Sequence, residues 1–134
     1  MLKDTYPYFL ANEPVAANTD LEVRNKHTGE IATRVALADD GVIDRAIGAA
    51  AEAFDELRRW PAWRRKAVLE HVIARMRERS DEMAHALAVE AGKPIRFARG
   101  EVTRGIDTFT VAAEESTRIY GELQPLDISE RADG

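Results

Sequence analysis

The feature that most constrains this sequence is a change of hydrophobic period at Asp39. Before it apolar residues alternate; after it they recur every three or four positions, and one segment cannot satisfy both rhythms. Residues 1–38 therefore read as extended. Leu21-Glu22-Val23-Arg24-Asn25 alternates as a strand with one buried face does, and Ile31 to Leu37 resumes the alternation after the turn Lys26-His27-Thr28-Gly29-Glu30. Gly29 is free to take the positive φ such a turn needs. Leu21–Leu37 is thus predicted to be strand, turn, strand, with Tyr6–Leu10 as a candidate third edge strand and Ala11-Asn12-Glu13-Pro14 as a turn.

Residues 39–121 read as helical. Ile43, Ala46, Ile47, Ala50, Phe54 and Leu57 mark one face of a first helix, which Asp39 or Asp40 can cap. Pro61 stops that helix or opens the next, whose face carries Trp63, Ala67, Val68, Val72, Ile73 and Met76. Ser80-Asp81 is a break and a new N-cap. Met83, Ala84, Leu87, Ala88 and Ala91 then lead to Gly92 with Pro94 behind it, a strong helix stop. The last helix is predicted from Ile95 to Tyr120, roughly 39 Å long at 1.5 Å per residue. Gly100 and Gly105 inside it each cost roughly 1 kcal/mol against alanine, which points to close helix packing. Residues 122–134 begin apolar and read as the start of a strand. No repeat, low-complexity tract or linker divides residues 1–134, so they are read as a single domain.

Composition narrows the function classes. Apolar residues are 45% and charged residues 32% of the 134 positions, the balance of a globular chain. The net charge of −5 is interleaved along the sequence, whereas a nucleic-acid partner would ask for basic residues gathered on one face. No apolar run approaches the roughly 20 residues of a membrane span, and the first residues lack a signal peptide's apolar stretch. A cytoplasmic location fits the absence of cysteine, which also removes every thiol mechanism and thiolate metal site.

Few residues suggest chemistry on their own. Gly92-Lys93 lacks the glycine five residues earlier and the Ser or Thr after it that a phosphate loop needs; Leu87 and Pro94 stand there. No Gly-x-Gly-x-x-Gly fingerprint occurs. His27 is on a turn, and His71 and His85 are fourteen residues apart, roughly 21 Å along a helix, too far to share a metal. No metal site is expected. Glu114 and Glu115 are adjacent on a helix and so do not face each other as an acid–base pair. Arg65, Arg99 and Glu101 read as bridges or caps between helices, and Trp60 and Trp63 as core anchors at the Pro61 corner.

Several of these signals, taken in order, resemble the NAD(P)-dependent aldehyde dehydrogenase superfamily. Asn25-Lys26-His27-Thr28-Gly29-Glu30 is similar to its Asn-Pro-x-Thr-Gly-Glu hairpin turn, with Lys26 where proline is usual. The alanine-rich helix through Ala46, Ala49, Ala50, Ala51 and Phe54 is followed by Trp60 and Arg65-Lys66-Ala67-Val68-Leu69 at the family's spacing. Glu90-Ala91-Gly92-Lys93-Pro94 resembles its Glu-x-Gly-Lys-Pro helix stop, and Ala98-Arg99-Gly100-Glu101-Val102 the next helix, through Ala112-Ala113-Glu114-Glu115. No one motif is specific; their common register, from Tyr8 onward, is what counts.

The resemblance implies an α/β parent fold of which residues 1–134 form an incomplete domain: a β-hairpin or small antiparallel sheet followed by three to four α-helices. It implies oxidation of an aldehyde by NAD or NADP through a cysteine thiohemiacetal. It places the catalytic cysteine, general-base glutamate, oxyanion asparagine and cofactor-binding lysine after Gly134, so no catalytic or cofactor-binding residue is carried over and the isolated chain is expected to be inactive. What is carried over is scaffold, with Val111, Glu114 and Glu115 falling at the border of the substrate tunnel. Thr110 stands where relatives often carry a basic residue, so the resemblance gives no ground for a preference for anionic aldehydes. The expected partners are the remainder of the dehydrogenase fold and further copies in a homo-oligomer, with no nucleic acid and no membrane. The alternative is a stand-alone helical module that oligomerises or regulates.

Overall fold

The computed structural model describes residues 2–125 and residue 131; of the strand start expected over residues 122–134, residues 122–125 form no strand, and residues 126–130 and 132–134 lie outside the described residues. Five short strands precede four helices. Strand β1 (Thr5–Tyr6) pairs in parallel with β5 (Ile31–Val35), which pairs antiparallel with β4 (Leu21–Arg24), giving the order β1-β5-β4. Strands β2 (Tyr8–Leu10) and β3 (Glu13–Val15) form a separate antiparallel hairpin.

The Leu21–Leu37 hairpin is where its alternation places it, and Gly29 turns it at φ 77°. The expected single edge strand Tyr6–Leu10 is instead two strands in different sheets. Pro7 divides them, because it brings no N–H to a ladder and fixes its own φ. The small sheet is accordingly mixed rather than antiparallel. The turn at Ala11-Asn12-Glu13-Pro14 is narrower than expected: Ala11 (φ 49°) and Asn12 (φ 67°) make it, and Glu13 and Pro14 belong to β3. Two consecutive positive φ values give a tight turn whose twist matches the paired strands.

Helix α1 (Asp40–Leu57) starts at Asp39, whose Oδ1 accepts from the N–H of Val42 at 2.8 Å. Asp39→Ala is expected to cost about 1 kcal/mol, read as a lower urea midpoint, because that N–H loses its partner. Pro61 caps α2 (Ala62–Glu78), and the Arg65 guanidinium secures the corner by donating to the Trp60 carbonyl at 2.7 Å. Helix α3 (Ser80–Ala91) follows after one residue. Arg79, not Ser80 or Asp81, is its N-cap, with no side-chain cap bond; the Arg79 guanidinium instead grips both Glu82 oxygens at 2.8 and 2.6 Å.

Helix α4 (Ile95–Glu115) is shorter than predicted, about 31 Å at 1.5 Å per residue. Hydroxyls end it: Ser116 Oγ donates to the Ala113 carbonyl at 2.8 Å and Thr117 Oγ1 to that of Glu114 at 3.0 Å. Such local bonds compete with continued helix, so Ile119 and Tyr120 fall outside it.

The core lies where α4 packs against α2 and α3. Ala84 and Ala98 are fully buried, Val102, Ala113 and Ile73 nearly so, and Met83, Leu87 and Ile106 pack around them. Small residues at the contact let the helix axes approach closely. The two internal glycines of α4 divide: a Cβ at Gly105 would lie 3.3 Å from Met76 Cε, the expected close packing, whereas one at Gly100 would meet open space. The apolar face of α1 stays uncovered, with Ile43, Ile47, Phe54 and Leu57 all exposed. Trp63 is 69% exposed and is no core anchor; Trp60 is half-buried, under the Arg64 guanidinium at 3.8 Å.

Candidate functional site

Three positions, Val111, Glu114 and Glu115, were singled out by register, and all lie in the last turns of α4. Glu114 borders a groove of about 250 Å³ between α2 and α4, together with Thr110, Lys66 and Arg77. Val111 is not part of that groove and is 58% exposed. Glu114 and Glu115 do not face each other; Arg118 reaches both, at 3.8 and 2.6 Å. Its charge keeps the two carboxylates as a solvated ion-pair cluster.

Of Arg65, Arg99 and Glu101, read as bridges or caps, Arg99 is the one that links two helices. Arg99 reaches Asp81 at 3.3 Å and so ties α4 to α3. Glu101 accepts from Lys93 and from Arg104, each at 2.7 Å. The Lys93 hydrogen bond, with its charge and that of Arg104, holds the Glu101 carboxyl below its usual range. Gly92 takes the left-handed conformation, φ 66°, at the end of α3, and Lys93 turns onto Glu101. The Gly-Lys pair is thereby accounted for as helix stop and ion pair. A cross-link that the sequence does not announce joins sheet to helices: the Lys26 N–H donates to the Val89 carbonyl at 3.0 Å. Proline at position 26 could not make that bond.

Sequence reasoning missed one cavity. At the corner between α3 and α4 a cleft of about 620 Å³ is lined by Lys93, Arg96, Phe97, Gly100, Glu101 and Arg104. Its signal was present in the spacing: positions 96, 100 and 104 recur at intervals of four, which aligns cation, glycine and cation along one helix face. Among the described residues no cluster of three or more His, Asp or Glu could hold a metal ion, and no helix is long and apolar enough to cross a membrane.

The pattern of the aldehyde dehydrogenase family matches residues 14–133, and this chain belongs to that family. It is similar to the 4-(hydroxymethyl)benzenesulfonate dehydrogenase of Comamonas testosteroni, 38% identical over 105 residues, which cover 78% of this chain and 22% of the relative. The 3-sulfolactaldehyde dehydrogenase of Priestia megaterium is 32% identical over 122 residues, 91% of this chain and 25% of that protein. Among solved structures, aldehyde dehydrogenase 21 of Physcomitrella patens, in complex with the reaction product succinate, is 50% identical with a TM-score of 0.89. The match takes in 100% of this chain and 28% of that one. The chain thus spans about a quarter of the length of the relatives it matches.

Proposed function

We propose that residues 1–134 are the N-terminal scaffold of an aldehyde dehydrogenase fold whose chemistry, oxidation of an aldehyde to a carboxylic acid with NAD or NADP, is carried by parts of the fold outside them. The exposed apolar face of α1 is the observation that carries this reading. Ile43, Ile47, Phe54 and Leu57 point away from the described core, and each forfeits roughly 1.5–3 kcal/mol while uncovered. A chain that keeps the backbone of a four-fold longer enzyme at a TM-score of 0.89 keeps the face that the remainder would bury. With no cysteine the chain offers no thiolate to attack an aldehyde, and it is proposed to hold neither catalytic nor cofactor-binding residues of its own. Val111, Glu114 and Glu115 remain proposed as tunnel-border positions, and a cytoplasmic homo-oligomer as the parent assembly. The names of the two relatives carry a sulfonate and the solved neighbour holds a dicarboxylate, so the parent's substrate is taken to be an aldehyde with a second, anionic group.

Purified chain with NAD or NADP and a panel of short aldehydes is expected to form no reduced cofactor above buffer. A hybrid in which this chain replaces the matching segment of the Physcomitrella enzyme is expected to restore turnover. Activity of the chain alone would sink the scaffold reading. An inactive hybrid, with the chain running as one compact oligomer on size exclusion with light scattering, would favour the interaction module.

A further inference from the structure

We propose that the corner joining α1 to α2 is a docking surface for a short acidic segment of a partner protein, with Trp63 as its apolar anchor and Arg59 and Arg64 as its principal charges. Residues 58–66 hold five cations and two tryptophans, with no carboxylate among them. These cations are loosely matched. Arg58 stands 4.0 Å from Asp55, Arg64 3.8 Å from Glu56 and Lys66 3.6 Å from Glu70, each beyond hydrogen-bond length. By contrast Arg79, Arg104 and Arg118 hold their carboxylates at 2.6, 2.7 and 2.6 Å. Arg59 pairs with none of the described carboxylates, although Asp55 and Glu56 lie close by in the chain and take Arg58 and Arg64. The corner is thus a place where positive charge is gathered and left for a further anion.

Its shape is fixed before a partner arrives. The N–H groups of Arg59 and Trp60 close the turn by donating to the Glu56 and Leu57 carbonyls at 3.0 and 3.1 Å, and Arg65 ties down the Trp60 carbonyl. Trp60 donates from Nε1 to Glu56 at 3.0 Å and lies beneath Arg64. A surface held in this way has little loop entropy left to lose on binding. Trp63 is left exposed, and tryptophan and arginine are the side chains that most often carry the energy of a protein interface. Arg64 and Arg65 also stand in the first turn of α2, at the positive end of its dipole, with no acidic residue in that turn to offset them. A carboxylate from outside relieves that repulsion. What surrounds the corner selects the occupant. Glu52 and Asp55 on α1 and Glu70 on α2 bound it, and the chain as a whole carries −5. A nucleic-acid strand or an anionic membrane would carry its charge past the cations onto those carboxylates. A segment of a few residues meets the cations alone, and opposite charge then sets its register. This surface is independent of the dehydrogenase chemistry and of the apolar stripe of α1.

Fluorescence polarisation on the full chain tests it with three labelled probes: the peptide Glu-Glu-Leu-Glu-Glu, the same peptide with glutamine for every glutamate, and a short oligo-dT. The glutamate peptide is expected to bind saturably and the glutamine peptide not to, which sets aside mere adhesion of leucine to the α1 stripe. W63A is expected to weaken the glutamate peptide roughly tenfold or more, and R59Q and R64Q each by roughly three- to tenfold. R75Q, on α2 but away from the corner, leaves binding as it was. Trp63 lies at the surface, so W63A keeps the urea midpoint of the unsubstituted chain, and its effect reads binding alone. Absence of saturable binding to the glutamate peptide overturns the docking surface, as does binding that W63A and R59Q leave unchanged. Tighter binding of oligo-dT through the same residues overturns the acidic segment in favour of a nucleic-acid strand. A dimer on light scattering that W63A disperses overturns it in favour of a second copy of the chain.

Discussion

Ala98→Leu is expected to lower the stability of the chain by about 2–3 kcal/mol. Ala98 has no exposed surface and sits where α4 meets α3, against Ala84, which is equally buried. The contact works because neither helix presents a side chain longer than a methyl group there. Leucine adds three heavy atoms with no void to receive them, so the axes must part, and Val102 and Met83 lose their partners as they do. A folded domain of this size holds only about 5–15 kcal/mol in all, so the loss is a large fraction of the total. Urea unfolding followed by far-UV circular dichroism reads it as a lower midpoint. A midpoint equal to that of the unsubstituted chain would mean that α3 and α4 do not meet at Ala98.

Gly92→Val is the second large effect, expected at about 2–3 kcal/mol. Its φ of 66° costs a residue with a Cβ roughly 1–2 kcal/mol. Its Cβ would also come within 3.0 Å of Lys26 Cβ, on a turn held to α3 by the Lys26–Val89 hydrogen bond. The turn cannot retreat without giving up that bond. Gly48, inside α1 with open space around it, gives the contrast: Gly48→Ala is expected to stabilise by about 1 kcal/mol, since only helix propensity changes. Equal shifts for the two substitutions in the same urea assay would remove the argument from position.

The period change at Asp39 was enough to divide strands from helices, and the stops at Pro61 and Gly92 were readable because each acts through its own backbone. What escaped reading depended on side chains finding partners in three dimensions. Ser116 and Thr117 end α4 by donating to carbonyls of the preceding turn, a choice that competes closely with another turn of helix. Pro7 parts two strands whose residues look continuous. Periodicity identifies an apolar face but not what covers it, so Trp63 reads as a core anchor yet is exposed, and the α1 stripe is left uncovered. The cleft was missed for a related reason. Arg96 and Arg104 look like ordinary solvated charges, and Gly100 like a packing residue, until the helix lines them up beside Lys93.

The way α4 is joined to its neighbours also orders the assembly of the chain. Only Gly92, Lys93 and Pro94 separate α3 from α4, and α2 precedes α3 by a single residue, so the helical contacts close over short loops with little chain entropy to overcome. The parallel ladder between β1 and β5 is the opposite case: two residues long, it joins Thr5 to Arg34 and forms only once the β4–β5 hairpin exists to receive it. The helical trio is thus expected to form early and β1 to be the last strand added. It is also the first to come away, so the backbone amides of its ladder should exchange with solvent well before those of α4.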